Sequence, residues 1–200
     1  LRVRGTTIAD LWEFSDEIER LFKGEDYDSN FNQKQTEAIQ KFKKELLSNI
    51  QSGKTNLESG GRGLEKLIKE LLELEGYKAD ILSKQFFPGL SDADIKATKE
   101  DLLSTNKLLI QVKHHSGMSG TWGAKQLTMI LDSQKDLFSE YRLVLITSAA
   151  PEKELIEMCD NKDIKLISGV DLVEWIYKSL PKMSPETKKC LSVGDIPTIL

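Results

Sequence analysis

The order of elements in this 200-residue chain predicts an α/β fold, a mixed β-sheet core flanked by helices and preceded by a helical extension. Three observations carry that expectation. Arg142-Leu-Val-Leu-Ile-Thr147 is a continuous apolar run, the pattern of a parallel strand buried on both faces. Leu64, Leu67, Ile68, Leu71 and Leu72 recur at helical spacing between Leu64 and Glu75. Short strand-like stretches joined by brief connections lie between the two, which means an antiparallel meander followed by helix–strand–helix–strand–helix.

Taken in order, residues 8–22 set Leu11, Phe14, Ile18, Leu21 and Phe22 on one helical stripe, with Thr7 or Asp10 as its start and Gly24 as its end. A second amphipathic stretch from Gln33 carries Ala38, Ile39, Phe42, Leu46 and Ile50. Two helices bury little by themselves, so residues 1–57 read as an extension for dimerisation, targeting or partner contact, jointed near Ser52-Gly53-Lys54. A glycine loop, Gly60-Gly61-Arg62-Gly63, opens the Leu64–Glu75 helix, and Gly76 ends it. Strands are expected near Tyr77–Leu82, over Asp94–Thr98 after a Pro88-Gly89 turn, and over Lys107–Lys113. A Gly/Ser-rich loop at 116–123 leads to a helix over Ala124–Ser139. Beyond the 142–147 strand come a helix at Glu152–Asn161, a strand at Ile164–Ile167 and a helix at Asp171–Leu180. Residues 58–180 form the main domain, and 181–200 read as a loosely attached tail.

Composition narrows the classes. Charged residues at 30% and hydrophobic ones at 39% are those of a water-soluble globular domain, and no apolar run nears the roughly 18 residues of a membrane helix. Neither a secretory leader nor a membrane partner is expected, and Leu1 in place of methionine fits a processed chain or part of a longer one. Cys159 and Cys190 stand apart without a CxxC, which fits neither a zinc site nor a disulfide framework and points to a reducing cytoplasm. A net charge of −4 argues against a surface that grips nucleic acid everywhere, yet Lys96, Lys99, Lys107, Lys113, His114, His115 and Lys125 cluster in sequence.

That cluster surrounds the most informative residues. Alternation along a strand puts Gln111 and Lys113 on one face and Val112 on the other. A lysine entering a core costs several kcal/mol unless it has a partner or a task. Asp92 and Asp94 repeat the same period upstream, so a carboxylate from one strand can lie beside an amide and an ammonium from the next. Such a group suits a hard divalent cation: Asp94, the Gln111 amide oxygen and the Val112 carbonyl as ligands, with Lys113 to orient water and meet phosphate charge. On their own, the same residues equally fit an exposed edge strand whose lysine guards against aggregation. Glu65 fits an acid in a first helical turn. His114, His115, Lys125 and Gln126 are either DNA contacts or ordinary surface groups, and the glycine loop is no P-loop, since no Lys-Ser/Thr follows it.

The whole series resembles one family. The glycine loop with its Leu-Glu helix, Gly76-Tyr77, Asp92-Ala-Asp94-Ile, the strand ending Gln111-Val-Lys113, and Leu143-Val-Leu-Ile-Thr147-Ser148 are similar to the Mrr-type restriction endonuclease catalytic domain, a branch of the PD-(D/E)XK nucleases. The resemblance spans Ser59 to Leu180 and implies a restriction-endonuclease-like sheet. It implies that Asp94 is the metal-binding aspartate, Gln111 the middle residue of a Q-x-K element and Lys113 the catalytic lysine. Glu65 becomes the helix acid that supports the metal. Two departures stand out: Leu90-Ser91-Asp92-Ala93-Asp94 replaces an Asp-Gly-Gly-x-Asp run, and Gln111 removes one negative charge from the metal site.

The expected function is therefore a Mg²⁺-dependent (Mn²⁺ as substitute) DNA endonuclease of a restriction or other defence system. It would act as a homodimer, with a further protein partner possible, and touch DNA through Lys96, His114, His115, Lys125 and Gln126. The alternatives are a non-cleaving DNA- or partner-binding module with a vestigial site, and an RNA or junction nuclease on the same core.

Overall fold

The computed structural model describes residues 27–58, 61–83, 93–133 and 135–194. The helix expected over 8–22, the Pro88-Gly89 turn and Asp92 lie outside the described residues. By its internal contacts the chain divides into residues 1–42 and 43–200. The division therefore falls within the first described helix, α1 (Tyr27–Gln51), and not at the Ser52-Gly53-Lys54 turn that follows it. Leu46 and Ile50, in the last turns of α1, are buried within the larger unit.

In that unit α2 (Arg62–Leu74) precedes the meander β1 (Lys78–Ile81), β2 (Ile95–Glu100) and β3 (Thr105–Lys113). A short β4 (Met118–Ser119) leads to α3 (Trp122–Ser133) and α4 (Lys135–Phe138). Then come β5 (Tyr141–Thr147), β6 (Ala150–Pro151), α5 (Lys153–Asn161), β7 (Ile164–Ile167) and α6 (Gly169–Ser179). The main sheet has the order β1-β2-β3-β5-β7, antiparallel across β1–β2–β3 and parallel across β3–β5–β7. This is the mixed sheet the element order predicts. The two-residue ladder of β4 with β6, Met118 to Ala150 and Ser119 to Pro151, was not expected, because pairs this short leave no periodicity to read.

Alternation divides the core into two layers. Leu109, Leu143 and Leu145 face α3, α4 and α5, where Ala124, Leu127, Ile130, Phe138, Leu155 and Cys159 complete one cluster. Ile110, Val144 and Ile146 face the opposite way, toward Leu72 of α2 and Trp175 of α6, which line a half-open groove of 810 Å³. Close approach is built in at two glycines. A Cβ at Gly63 would lie 2.4 Å from the Glu58 nitrogen, and one at Gly169 would lie 2.3 Å from the Ser148 carbonyl oxygen.

Residues 180–194 are held more firmly than the loose tail expected. A 3₁₀ turn (Leu180–Lys182) and a helix α7 (Pro185–Cys190) follow α6, and Met183 and Leu191 are buried. Glu70 of α2 accepts from the Ser184 nitrogen at 2.7 Å and from the Thr187 hydroxyl, while Asn56 N donates to Cys190 O at 2.7 Å. The sequence of 181–194 is too polar to announce this, because the anchoring is by hydrogen bonds and two apolar side chains.

Candidate active site

The site begins with register. Ile95 pairs with Ile110, and Asp94 N donates to Ile110 O at 2.9 Å, so the ladder continues one residue past β2 and brings Asp94 opposite Gln111. Opposed residues share a face, which makes Asp94, Gln111 and Lys113 neighbours on the α3 side of the sheet. β5 ends beside them, with Thr147 paired to Lys113 and fully buried.

Asp94 Oδ2 accepts two hydrogen bonds of 2.6 Å, one from Gln111 Nε2 and one from the Val112 backbone nitrogen. A carboxylate only accepts, so the first bond fixes the amide: Nε2 faces Asp94, and Oε1 must point elsewhere. Gln111 is 1% exposed, and Oε1 has no hydrogen-bond partner. A buried acceptor without a donor costs about 1–3 kcal/mol and needs an explanation. A hard cation beside Asp94 supplies one, since amide and carboxylate oxygens are its ordinary ligands. Among the described residues no three His, Cys, Asp or Glu side chains gather into a metal-sized group. The donor set is thus oxygen-based and lightly charged, suited to Mg²⁺ or Mn²⁺ rather than to zinc.

Lys113 is half-buried, and its Nζ donates to Gln126 Oε1 at 2.9 Å. Gln126 is only 7% exposed, so it is not the surface DNA contact the sequence suggested. It faces inward because it lies three residues after Gly123, on the α3 face that rests against Leu145 and the Lys113 stem. Its near burial and its spacing from Gly123 were the available signals, and both emerge only once β3 is known to run beneath α3.

Glu65 lies half-buried in the first turn of α2, after Gly61 in the left-handed region (φ 85°). Its Oε1 turns back toward that glycine, 4.0 Å from where a Cβ would stand. His114 is not a surface group either: Nε2 lies 2.9 Å from Ile50 O at the end of α1, while Gln51 Nε2 donates to Ser148 O at 2.7 Å. His115 is exposed, its backbone nitrogen donating to the Ser148 hydroxyl at 3.0 Å. Lys125 is exposed on the first turn of α3. Lys96 is half-buried two residues further along β2 from Asp94, its ammonium 5.8 Å from the centre of the Tyr141 ring. The basic stretch of the sequence is therefore dispersed. Lys99 donates to Glu75 O and Lys107 pairs with Glu140, both away from Asp94, because the β2–β3 hairpin carries them to its far end.

Comparison with known proteins agrees with this geometry. The Mrr catalytic-domain family model, described as restriction endonuclease, matches residues 57–176. The fold is similar to that of the DNA modification-dependent restriction endonuclease AspBHI, with TM-score 0.51 and 12% identity over 75% of this chain and 38% of that one. The restriction endonuclease FokI aligns with TM-score 0.42 and 12% identity over 64% of this chain and 26% of that one. The chain thus spans well under half the length of either enzyme. No curated protein sequence matches it. With the family model covering more than half of the residues, and a sheet of the same kind beneath it, the chain belongs to the restriction endonuclease family.

Proposed function

We propose that the domain hydrolyses DNA phosphodiesters in a divalent-metal-dependent reaction, with Mg²⁺ as the natural ion and Mn²⁺ as a substitute. The observation that carries the reading is the buried, partnerless Gln111 Oε1 beside Asp94, with Lys113 on the same face. Asp94, Gln111 Oε1 and the Val112 carbonyl would hold the ion, with Glu65 adding a carboxylate from α2. Such an ion polarises the phosphate and acidifies a water. The chain's own part is to present Lys113, whose ammonium aligns the attacking water and offsets charge gathering on the phosphate. Exposed His115 and Lys125 are the candidate phosphate contacts near this face.

The test is plasmid cleavage with Mg²⁺ or Mn²⁺ by the wild type, Asp94→Ala and Lys113→Ala. Removing either group is expected to lower the rate by several orders of magnitude while the fold persists. Wild-type cleavage by Lys113→Ala would sink the assignment. Gln111 also favours a second reading, a DNA- or partner-binding module that no longer cuts, because an amide contributes less charge to the ion than a carboxylate. DNA binding by a wild type inert under every metal would select it. An RNA or junction substrate on the same core would show as preference in a competition assay.

A restriction or defence role and action as a homodimer are parts of the same proposal. Their motives are the family and the need for two centres to cut both strands. Residues 1–57 are proposed to dimerise or to find the target. A monomeric mass in sedimentation with DNA present would remove the dimer, and no effect on phage plating would remove the defence role.

A further inference from the structure

We infer that Gln126 is the positioning residue for Lys113, holding the ammonium toward Asp94 with a neutral acceptor; this rests on the nuclease reading above. Lys113 Nζ donates to Gln126 Oε1 at 2.9 Å. An ammonium has no lone pair to offer, so the contact fixes which end of the amide faces it. Gln126 is 7% exposed, which shields the bond from solvent exchange.

The grip runs along the whole lysine. One turn earlier on α3 stands Gly123, and a Cβ there would lie 3.3 Å from Lys113 Cε, 3.4 Å from Cγ and 2.8 Å from Leu145 Cδ1. The absent side chain is what lets the helix lie against the lysine stem, and position 126, on the same face, then meets its tip. A lysine has several rotatable bonds, and fixing them before substrate arrives removes an entropic cost from the reaction.

The choice of an amide follows from the chemistry. A carboxylate at 126 would pair with the ammonium and offset the charge meant for the phosphate. An apolar side chain would leave Lys113 free to turn toward solvent. The amide orients the group and leaves its charge whole. It also leaves two of the three ammonium protons for other acceptors, a water and a phosphate oxygen among them.

Gln126→Met keeps length and shape but replaces the strong acceptor with a thioether, and Gln126→Leu serves if the Met variant does not fold. In the full chain with plasmid and Mg²⁺ or Mn²⁺, kcat is expected to fall by roughly a hundredfold, the cost of a misplaced group. KM for DNA should stay within about threefold, since binding in both states is untouched. Gln126→Glu, which retains an acceptor, should recover part of the loss. A second readout needs no activity: the ¹⁵N–¹H signal of the Lys113 ammonium, assigned by its loss in Lys113→Ala, should be seen in the wild type and vanish in Gln126→Met. A wild-type kcat in a folded Met variant overturns the inference, as does an unchanged ammonium signal. If the wild type does not cleave, the nuclease reading fails, and the ammonium signal still decides whether Gln126 holds Lys113.

Discussion

At the scale of single residues, the amide at position 111 gives the site its character. Donation of its Nε2 to Asp94 makes the centre self-consistent without a metal, whereas two carboxylates in these positions would repel. The same bond strands Oε1 and so leaves the site short of one favourable contact. Gln111→Glu exchanges one state for the other. In EDTA the variant should melt several degrees below the wild type, because a buried charge loses its donor and meets a like charge. With saturating Mn²⁺ its melting temperature should rise further than the wild type's, since the ion gains a charged ligand and binding to the native state adds stability. An equal Mn²⁺ response in both proteins would show that residue 111 does not face the ion. The trio Asp94, Gln111 and Lys113 was legible in the sequence because strand period alone aligns it. Gln126 was legible only as a polar residue near the site: its partner comes from a different element, and no local pattern encodes which helix face meets which strand.

At the scale of elements, the helices that frame the site are fixed by their ends. α6 starts at Ser168, whose backbone nitrogen and hydroxyl both donate to Asp171 Oδ2, at 3.0 and 2.7 Å. The Ser168 hydroxyl, ahead of its own backbone amide, holds the Asp171 carboxyl below the usual carboxylate range. A depressed folded value means stability that is present at neutral pH and lost as pH falls through it. Ser168→Ala should therefore lower stability by about 0.5–2 kcal/mol at pH 7. The difference from wild type should shrink once pH drops below the ordinary carboxylate range. Denaturant melts at pH 7 and near pH 3 would check this, and a gap that persists in acid would refute it. Helix α2 and strands β2, β3, β5 and β7 were legible from period and from glycine punctuation, within a residue or three of their observed bounds. The helix expected over Ala124–Ser139 is divided into α3 and α4, around a segment whose apolar spacing runs on without a break. Residues 180–194 were misjudged because Glu70, the residue that ties them down, is more than a hundred positions away.

The molecule as a whole is acidic, with net charge −4, and its lysines are less concentrated at the site than their sequence spacing implied. Lys99 and Lys107 are engaged at the far end of the β2–β3 hairpin, and Lys96 lies over Tyr141. What remains near Asp94 is Lys113, with exposed His115 and Lys125 beside it on neighbouring elements. A footprint this small should bind DNA weakly and give a shallow salt dependence. Each neutralised phosphate contributes about −0.9 to the slope of log K against log salt, so a slope of only a few units is expected. Lys125→Ala should reduce its magnitude by about one unit and weaken binding equally across sequences, as befits a phosphate contact. Asp94→Ala prevents cleavage during a titration of the full chain across salt, which reads both quantities. A slope near ten, or a sequence-selective loss in Lys125→Ala, would place a much larger recognition surface on these residues. The expected result instead leaves target choice to the extension or to a partner, and gives the domain a centre that acts only when brought to its DNA.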